Sequence, residues 1–498
     1  MTVNGLFKSL TSVLIFKLII NEMKRRDFLR KSAMASAGAS CIPMLARGAA
    51  RKKPNVLIIH TDQQSVWTLG AYGGDVVKTP HIDSLAEEGA RLDNFFTNSA
   101  VCTASRGCFI SGMYPHTNGA YKNNIQIRQD IEGFGHVFRK GGYDTGYIGK
   151  WHLDGDPKPG FTPKERALGF EDSRFMMNRG HWKKLQDQPD GTVKTFPYNI
   201  IGDKKTYTTD FLTDKALNFM KKDRGDKPFM LMLSFPDPHS PLSVRKPYDT
   251  MFNPEDMELP TTFDIPRPDW MSRDLPYGKD RKDRKTVLKR HKAQYYGMVK
   301  CIDDNVGRLI KKLKAMGQYD NTIIVFTSDH GEYLGEHGGL YGKNMFYENA
   351  YRVPFIVRWP RKIKAGTAIK EHVTTVDFKS TIAGLVGFST NGEEQGIDTS
   401  NFLKGKKVKG HEDTAYFHHC DGEFAGIYDK DYSVGFFSVG KHVLFDRRKD
   451  PDQINNLAEK PEYSETLRQF HVKVLKHSKS VGEKDAKWLE KLKVGVAG

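Results

Sequence analysis

Five short strand-like segments, most of them apolar runs that break off into polar residues, constrain this chain more than any other feature of its sequence. Asn55-Val56-Leu57-Ile58-Ile59-His60 passes directly into Thr61-Asp62-Gln63-Gln64. Gly142 to Ile148 passes into Gly149-Lys150-Trp151-His152, and Phe229 to Phe235 into Pro236-Asp237-Pro238-His239. Thr322 to Thr327 ends in Ser328-Asp329-His330-Gly331-Glu332, and Val353 to Val357 forms the fifth run. Continuous apolar runs of this length suit strands buried on both faces, as in a parallel sheet. Helical patterns lie between them. Thr79-Pro80 opens one with Ile82, Leu85 and Ala86 on one face and a stop at Gly89, and Ala293 to Leu313 reads as another. Strands alternating with helices predict an α/β fold with a mostly parallel sheet sandwiched by helices. Ligands of such sheets bind beyond the carboxyl ends of the strands. Asp62, Lys150, His152, His239, Asp329 and His330 all stand just past a strand, so the sequence predicts a site there.

The stretch Cys102-Thr103-Ala104-Ser105-Arg106-Gly107-Cys108-Phe109-Ile110-Ser111-Gly112 supplies a thiol, a hydroxyl and a guanidinium within five residues. The run behind these residues reads as a short helix starting just after Cys102 and ending at Gly112. The unpaired N–H groups and positive dipole end of such a helix would lie beside the Cys102 side chain, where an anion is favoured. Asp62 and Asp329 are carboxylates expected to converge at the strand ends, and hard oxygen ligands suit Ca²⁺ or Mg²⁺.

Cys-x-Ala-Ser-Arg, with Ser-Gly six residues after the Ser, resembles the signature of the type I sulfatases. These are formylglycine-dependent enzymes of the alkaline-phosphatase-like superfamily, and the bacterial exported polysaccharide sulfatases are the nearest kind. The resemblance runs from about residue 53 to about 460. It implies that Cys102 is oxidised to Cα-formylglycine, whose hydrate attacks the sulfur of a sulfate ester. It implies a Ca²⁺ or Mg²⁺ site made by Asp62, Gln63, Asp329 and His330 with residue 102, Gln63 standing where many relatives carry Asp and His330 where many carry Asn. Lys150 and His152 in Gly-Lys-Trp-His, His239 in Pro-His-Ser-Pro and Lys343 in Tyr-Gly-Lys resemble the family's sulfate-binding and leaving-group positions. On this likeness Arg106 holds the modified nucleophile, Lys150 and Lys343 neutralise the sulfate, and His239 or His152 protonates the leaving alcohol. His116, in Tyr-Pro-His-Thr-Asn-Gly, and His418-His419 are further candidates, His418-His419 being read first as an ordinary strand pair. Asp446 and Asn455-Asn456-Leu457-Ala458 resemble a C-terminal signature of structural character. Ala104 replaces the usual Pro, which points towards an anaerobic sulfatase-maturating enzyme, with the oxygen-dependent formylglycine-generating enzyme as the alternative.

Charge bears on the partner. The formal net charge is +17, of which the first fifty residues contribute +6 and the remainder +11. A basic surface of that size suits an anionic partner. No nucleic-acid motif appears and the charge is dispersed, so a sulfated glycan suits the charge as well as nucleic acid does, and the resemblance to the sulfatases makes it the expected substrate. The five cysteines, Cys41, Cys102, Cys108, Cys301 and Cys420, are irregularly spaced and make no disulfide framework.

Lys24-Arg25-Arg26-Asp27-Phe28-Leu29-Arg30 followed by a run of small residues resembles a twin-arginine export signal, with Met23 as a possible true start. The segment Leu6 to Ile20 is interrupted by Lys8 and Lys17 and is shorter than the ~20 residues of a membrane span. No stable span is therefore expected, and the protein is expected in the periplasm or at the cell surface. The expected organisation is an export signal over 1–50, a catalytic domain over 51–395 and a smaller C-terminal α+β subdomain over 396–498. Short alternating segments there, such as Thr414 to His418 and Ser433 to Phe437, predict an antiparallel sheet followed by a charged helix. Stretches 155–206 and 240–290 are long and weakly periodic, and are expected to wall the substrate cleft. Two other functions fit the same residues: a formylglycine-dependent phosphonate or phosphate diester hydrolase, and a catalytically silent glycan-binding protein.

Overall fold

The computed structural model describes residues 52–155, 160–268, 270, 282–419, 422–484 and 486–494. The export-like segment, with Met23 and Cys41, lies outside the described residues, as does Cys420. Residues Lys53 to Gly498 group as one unit.

In chain order the elements that position the site are β1 (Asn55–Asp62), α1 (Pro80–Glu87), β2 (Ala90–Phe96), α2 (Cys102–Ser111), α3 (Phe134–Lys140), β3 (Asp144–Lys150) and β4 (Asp172–Met177). They continue with α4 (Thr208–Met220), β5 (Phe229–Pro238), α5 (Arg284–Ala315), β6 (Thr322–Ser328), β7 (Phe355–Arg358), β8 (Thr367–Thr374) and α6 (Phe378–Val386). These strands form one eight-stranded sheet in the order β8-β2-β7-β6-β1-β5-β3-β4. The sheet is parallel except at β7, which runs antiparallel to both β2 and β6. The fifth apolar run is therefore the reversed one. The described chain between Ser328 and Phe355 carries only the one-turn helices Glu336–Gly339 and Glu348–Tyr351, so no full-length helix forms the connection from β6 to β7.

Alternate side chains of the central strands enter different cores, as the pleat requires. Val56, Ile58, Met230, Met232, Ile323 and Val325 share one face with Phe109 and Ile110 of α2, Phe134 and Phe138 of α3, and Phe378 and Ile382 of α6. Leu57, Ile59, Leu231, Leu233, Ile324 and Phe326 share the other with Ile82 of α1, Phe211 of α4 and Ile302, Val306 and Leu309 of α5. Both faces are covered, which is why the strands read as unbroken apolar runs. The α5 helix starts at Arg284, nine residues before the periodic stretch begins, and its early turns bury only Val287 and Leu288. That polar beginning hid the start.

The C-terminal part is a four-stranded antiparallel sheet, β9 (Thr414–His418), β10 (Phe424–Asp429), β11 (Tyr432–Phe437) and β12 (His442–Asp446), paired in sequence order. The helix α7 (Ser464–Ser480) covers one face through Leu467, Phe470 and Val474. The other face packs Phe417, Tyr428 and Phe445 against Phe96, Tyr333, Phe346 and Tyr351. No helix among the described residues is long and apolar enough to cross a membrane.

Candidate active site

Neighbouring strands deliver the polar groups to one edge. Thr61 of β1 lies beside Ser328 of β6, so Asp62 and Asp329 emerge side by side, and the Gln63 amide donates to Asp329 Oδ1 at 2.9 Å. On the other flank β5 lies between β1 and β3, bringing His239 and Lys150 to the same rim. Lys150 reaches it because Gly149 precedes it. Gly149 has φ +106°, and a Cβ there would stand 1.8 Å from the Ser234 carbonyl oxygen. Only glycine fits.

The α2 helix faces this rim with Cys102 as its first residue, and Gly112 closes it in a left-handed cap with φ +72°. The Cys102 Sγ lies 3.0 Å from Lys343 Nζ, 3.2 Å from His330 Nε2 and 3.7 Å from Asp62 Oδ1. Burial opposes a thiolate, yet the Lys150 and Lys343 ammonium groups hold the Cys102 thiol well below its usual range. Cys108 sits on the same helix, packed with Tyr114 and Val376, and there burial pushes the thiol up to about 12. Both are free thiols, as is Cys301. One helix thus carries an activated cysteine and an inert one.

Ligand atoms of Asp62, Cys102, Asp329 and His330, all buried, lie within 4.8 Å of one another. Their orientation is set from behind. His330 Nδ1 lies 2.9 Å from the Gly331 carbonyl oxygen, which can only accept, so Nδ1 carries the proton and Nε2 offers its lone pair to the site. The Gln63 amide nitrogen donates to Glu332, which turns Oε1 towards Lys343 Nζ at 2.8 Å. Glu332 is buried, and desolvation raises it to about 7. Two carboxylates, an amide oxygen and one imidazole nitrogen make a mostly hard donor set that fits a divalent cation. Burial would raise both acids, but Lys150 beside Asp62 holds that carboxyl well below the usual range, whereas burial and the Asp62 charge raise Asp329.

The cations brace this centre. Arg106 Nε donates to Asp329 Oδ2 at 2.9 Å, and its Nη1 donates to the Lys150 carbonyl at 2.7 Å and to Ser234 Oγ at 2.8 Å. Its Nη2 is buried without a hydrogen-bond partner, 4.0 Å from Asp62 Oδ1. Lys150 Nζ pairs with Asp62 Oδ2. Lys343 Nζ donates to His239 Nε2 at 3.0 Å, while His239 Nδ1 is held on the Ser240 carbonyl at 2.8 Å. His152, with φ +59°, meets Asn124 through Nε2 at 3.3 Å. Burial is the main cause that lowers both His152 and His239 to about 4, and Lys343 adds to the effect at His239.

All ten residues expected at the site converge here. The weaker candidates do not join them. His116 bonds the Val481 carbonyl through Nε2 at 2.8 Å and pairs with Glu483 at 2.5 Å. His418 packs edge-on to Tyr114, with ring centroids 6.0 Å apart, and His419 stacks on Phe424. Asp446 caps the amides of Arg448 and Lys449, and Asn456 Oδ1 accepts from Leu444 and Ala458, as structural groups do. His181 was not anticipated. It comes from the weakly periodic stretch 155–206 and enters the site beside Lys150, Asp62 and His239. Nothing local marked it, because its segment has neither strand nor helix pattern.

Comparison with known proteins gives the same answer as the geometry. The profile of the sulfatase family matches residues 54–388, and one described as N-sulphoglucosamine sulphohydrolase, C-terminal, matches residues 335–480. An ulvan-active sulfatase of Formosa agariphila is 29% identical over 449 residues, covering 86% of this chain and 82% of that one. An N-acetylglucosamine-6-O-sulfatase of Bacteroides thetaiotaomicron is 28% identical, covering 84% and 85%. Among solved structures, a protein in complex with its substrate D-glucosamine-2-N,6-O-disulfate shares the fold with a TM-score of 0.72 at 24% identity, covering 88% of this chain and 100% of the other. A phosphonate monoester hydrolase of Agrobacterium radiobacter has a TM-score of 0.72 at 25% identity, covering 86% and 96%. With the profile spanning most of the chain and sulfatases among its relatives, this chain belongs to the sulfatase family, among the type I sulfatases of the bacterial polysaccharide kind.

Proposed function

We propose that this sulfatase removes sulfate from a sulfated carbohydrate, using a formylglycine made from Cys102 and a divalent cation, Ca²⁺ or Mg²⁺, held by Asp62, Gln63, Asp329 and His330. The observation that carries the reading is the placement of Cys102 at a helix start, within 3.0 Å of Lys343 Nζ and 3.2 Å of His330 Nε2. The carbohydrate substrate is supported by the names of the ulvan-active and N-acetylglucosamine-6-O-sulfatase relatives. Asp62, Gln63, Asp329 and His330 would hold the cation, which would supply Lewis-acid charge neutralisation, and residue 102 as a formylglycine would supply the nucleophile.

The chain's own groups do the rest. Lys150, Lys343 and the α2 amide end present positive charge to the equatorial oxygens in a site shielded from water, where such charge acts most strongly. Arg106 clamps Asp329 and the Lys150 carbonyl, fixing a ligand and a cation relative to α2. The hydrogen-bonded Lys343–His239 pair faces the leaving oxygen and gives it a proton as the S–O bond breaks. His152, held by Asn124, shapes the wall beside Cys102.

Two measurements test this reading on the matured protein. Peptide mass spectrometry must find the aldehyde at position 102, and a screen of defined sulfated saccharides from algal polysaccharides and glycosaminoglycans must release sulfate. Faster turnover of a phosphonate monoester or a phosphate diester than of any sulfate ester would favour the phosphonate or phosphate diester hydrolase instead, a phosphonate monoester being the substrate named for the Agrobacterium relative. The amino-terminal segment is proposed to direct twin-arginine export. Fusion to a reporter that works only outside the cytoplasm tests it, with Arg25→Lys/Arg26→Lys as the blocking control.

A further inference from the structure

His181 belongs to no expected motif, yet it is among the most firmly seated side chains at the rim. Its ring stacks on that of His239, with centroids 4.0 Å apart and planes inclined by 17°. Its Nε2 lies 2.9 Å from Lys150 Nζ and 3.2 Å from Asp62 Oδ2, so the ring edge is held by a cation and an acid. The backbone on either side is pinned as well. Gly180, at φ +63°, makes the turn that delivers it. The Trp182 carbonyl accepts from Thr208 Oγ1, and the Lys183 carbonyl accepts from the Gly202 amide at 3.0 Å.

The decisive link is a buried ion pair. Lys183 Nζ donates to Asp237 Oδ1 at 2.6 Å, with both side chains about 1% exposed. Lys183 stands two residues after His181, and Asp237 two residues before His239. Tyr207 and Thr209 hydroxyls donate to the other Asp237 oxygen, each at 2.6 Å. The two histidine-bearing segments are thus tied together immediately behind the stacked rings.

We propose that His181 is a positioning residue of the sulfatase site, a fixed shelf whose face sets the ring of His239 for proton delivery to the leaving alcohol. The inference rests on the reading of His239 with Lys343 as the source of that proton. The proton starts on the Lys343 ammonium, passes to His239 Nε2 and from there to the leaving oxygen, leaving Lys343 neutral. A ring turned away from that oxygen transfers it poorly, and a positioned proton donor contributes roughly 10²–10⁴-fold when the leaving group needs one. An ester whose leaving group departs as a stable anion does not need it.

The test uses the full-length, matured, metal-loaded enzyme and two classes of ester: a nitrophenyl sulfate and a sugar or alkyl sulfate. In His181→Ala, kcat for the sugar or alkyl ester should fall roughly 10²-fold, while kcat for the nitrophenyl ester stays within about threefold. His181→Phe, which keeps a flat ring against His239, should recover about tenfold of that loss. His181→Asn, which keeps a polar edge and lacks the face, should behave like alanine and decides the matter should the alanine variant fail to fold. Equal losses on both ester classes, or no loss on either, would overturn the proposal. His239→Ala separates the two levels of the argument. If it shows no leaving-group selectivity, the underlying reading of His239 fails. If it does show it and the His181 variants do not, only the role of His181 fails.

Discussion

Lys183→Met removes the cation from a buried pair and keeps the volume of the stem. Asp237 would be left 0% exposed with its Tyr207 and Thr209 hydroxyl donors still in place. Breaking a buried pair costs ~3–5 kcal/mol. The two surviving hydrogen bonds to the charged carboxylate keep the loss near the lower end, about 3 kcal/mol. Unfolding entropy of about 2.1 cal/mol/K per residue, over the unit from Lys53 to Gly498, comes to roughly 0.9 kcal/mol/K. The same 3 kcal/mol therefore lowers Tm by only about 3 °C. Denaturant midpoints are the sharper assay, read on wild type, Lys183→Met, Asp237→Asn and the double variant. The cycle should give a coupling of at least about 1 kcal/mol, because each single change leaves its partner buried alone. Additive single effects with a midpoint unchanged in Lys183→Met would refute the claim that this pair ties the two loops together.

Other perturbations have outcomes that follow from the same contacts. Cys102→Ala should abolish turnover with the melting temperature preserved, whereas Cys108→Ala should keep turnover within about threefold, and the wild-type protein should carry no aldehyde at 108, since that thiol is inert. Mass spectrometry and sulfate release check both. Gly149→Ala places a Cβ 1.8 Å from a backbone oxygen and should prevent soluble accumulation, while Gly191→Ala, with φ +83° and open space around it, should cost only ~1–2 kcal/mol. Soluble yield and melting curves distinguish them. Burial lowers His418 to about 4 and His477 to about 3, near His116 and Glu483. Above pH ~6.5 neither state of the protein binds these protons. As pH falls towards 4 the unfolded chain takes protons that the native one refuses, so stability declines by up to roughly 3 kcal/mol per histidine. Denaturant midpoints at pH 7 and 4.5 should show the decline, and His418→Leu should weaken it. An identical decline in the variant would exclude His418 as its source.

Arg91, Asp93, Arg174 and Lys370 interrupt β2, β4 and β8, which were therefore not legible in the sequence. The strands β1, β5 and β6 were legible because burial on both faces leaves an unbroken apolar run, a property of a few adjacent residues. Asp62, Lys150, His152, His239, Asp329 and His330 were legible for the same reason, as polar residues at the ends of such runs. The α2 helix could be bounded from Cys102 to Gly112 by its own composition, and the neighbouring motifs identified Lys343, Gln63 and Arg106. The reversed direction of β7 was not, because it depends on how the segment pairs with β2 and β6 and not on its own residues. The early turns of α5 were hidden by their polar faces. His116 is a similar case: its neighbours Val481 and Glu483 are remote in sequence, and only folding turns it away from the site towards them. His181 shows the limit most plainly. Its segment carries no periodicity, and its place beside His239 is decided by a Lys183–Asp237 pair that spans 54 residues. Local sequence encodes what a residue does to its own backbone and burial. Which side chains meet across the chain is settled by packing and by the need to pair every buried charge.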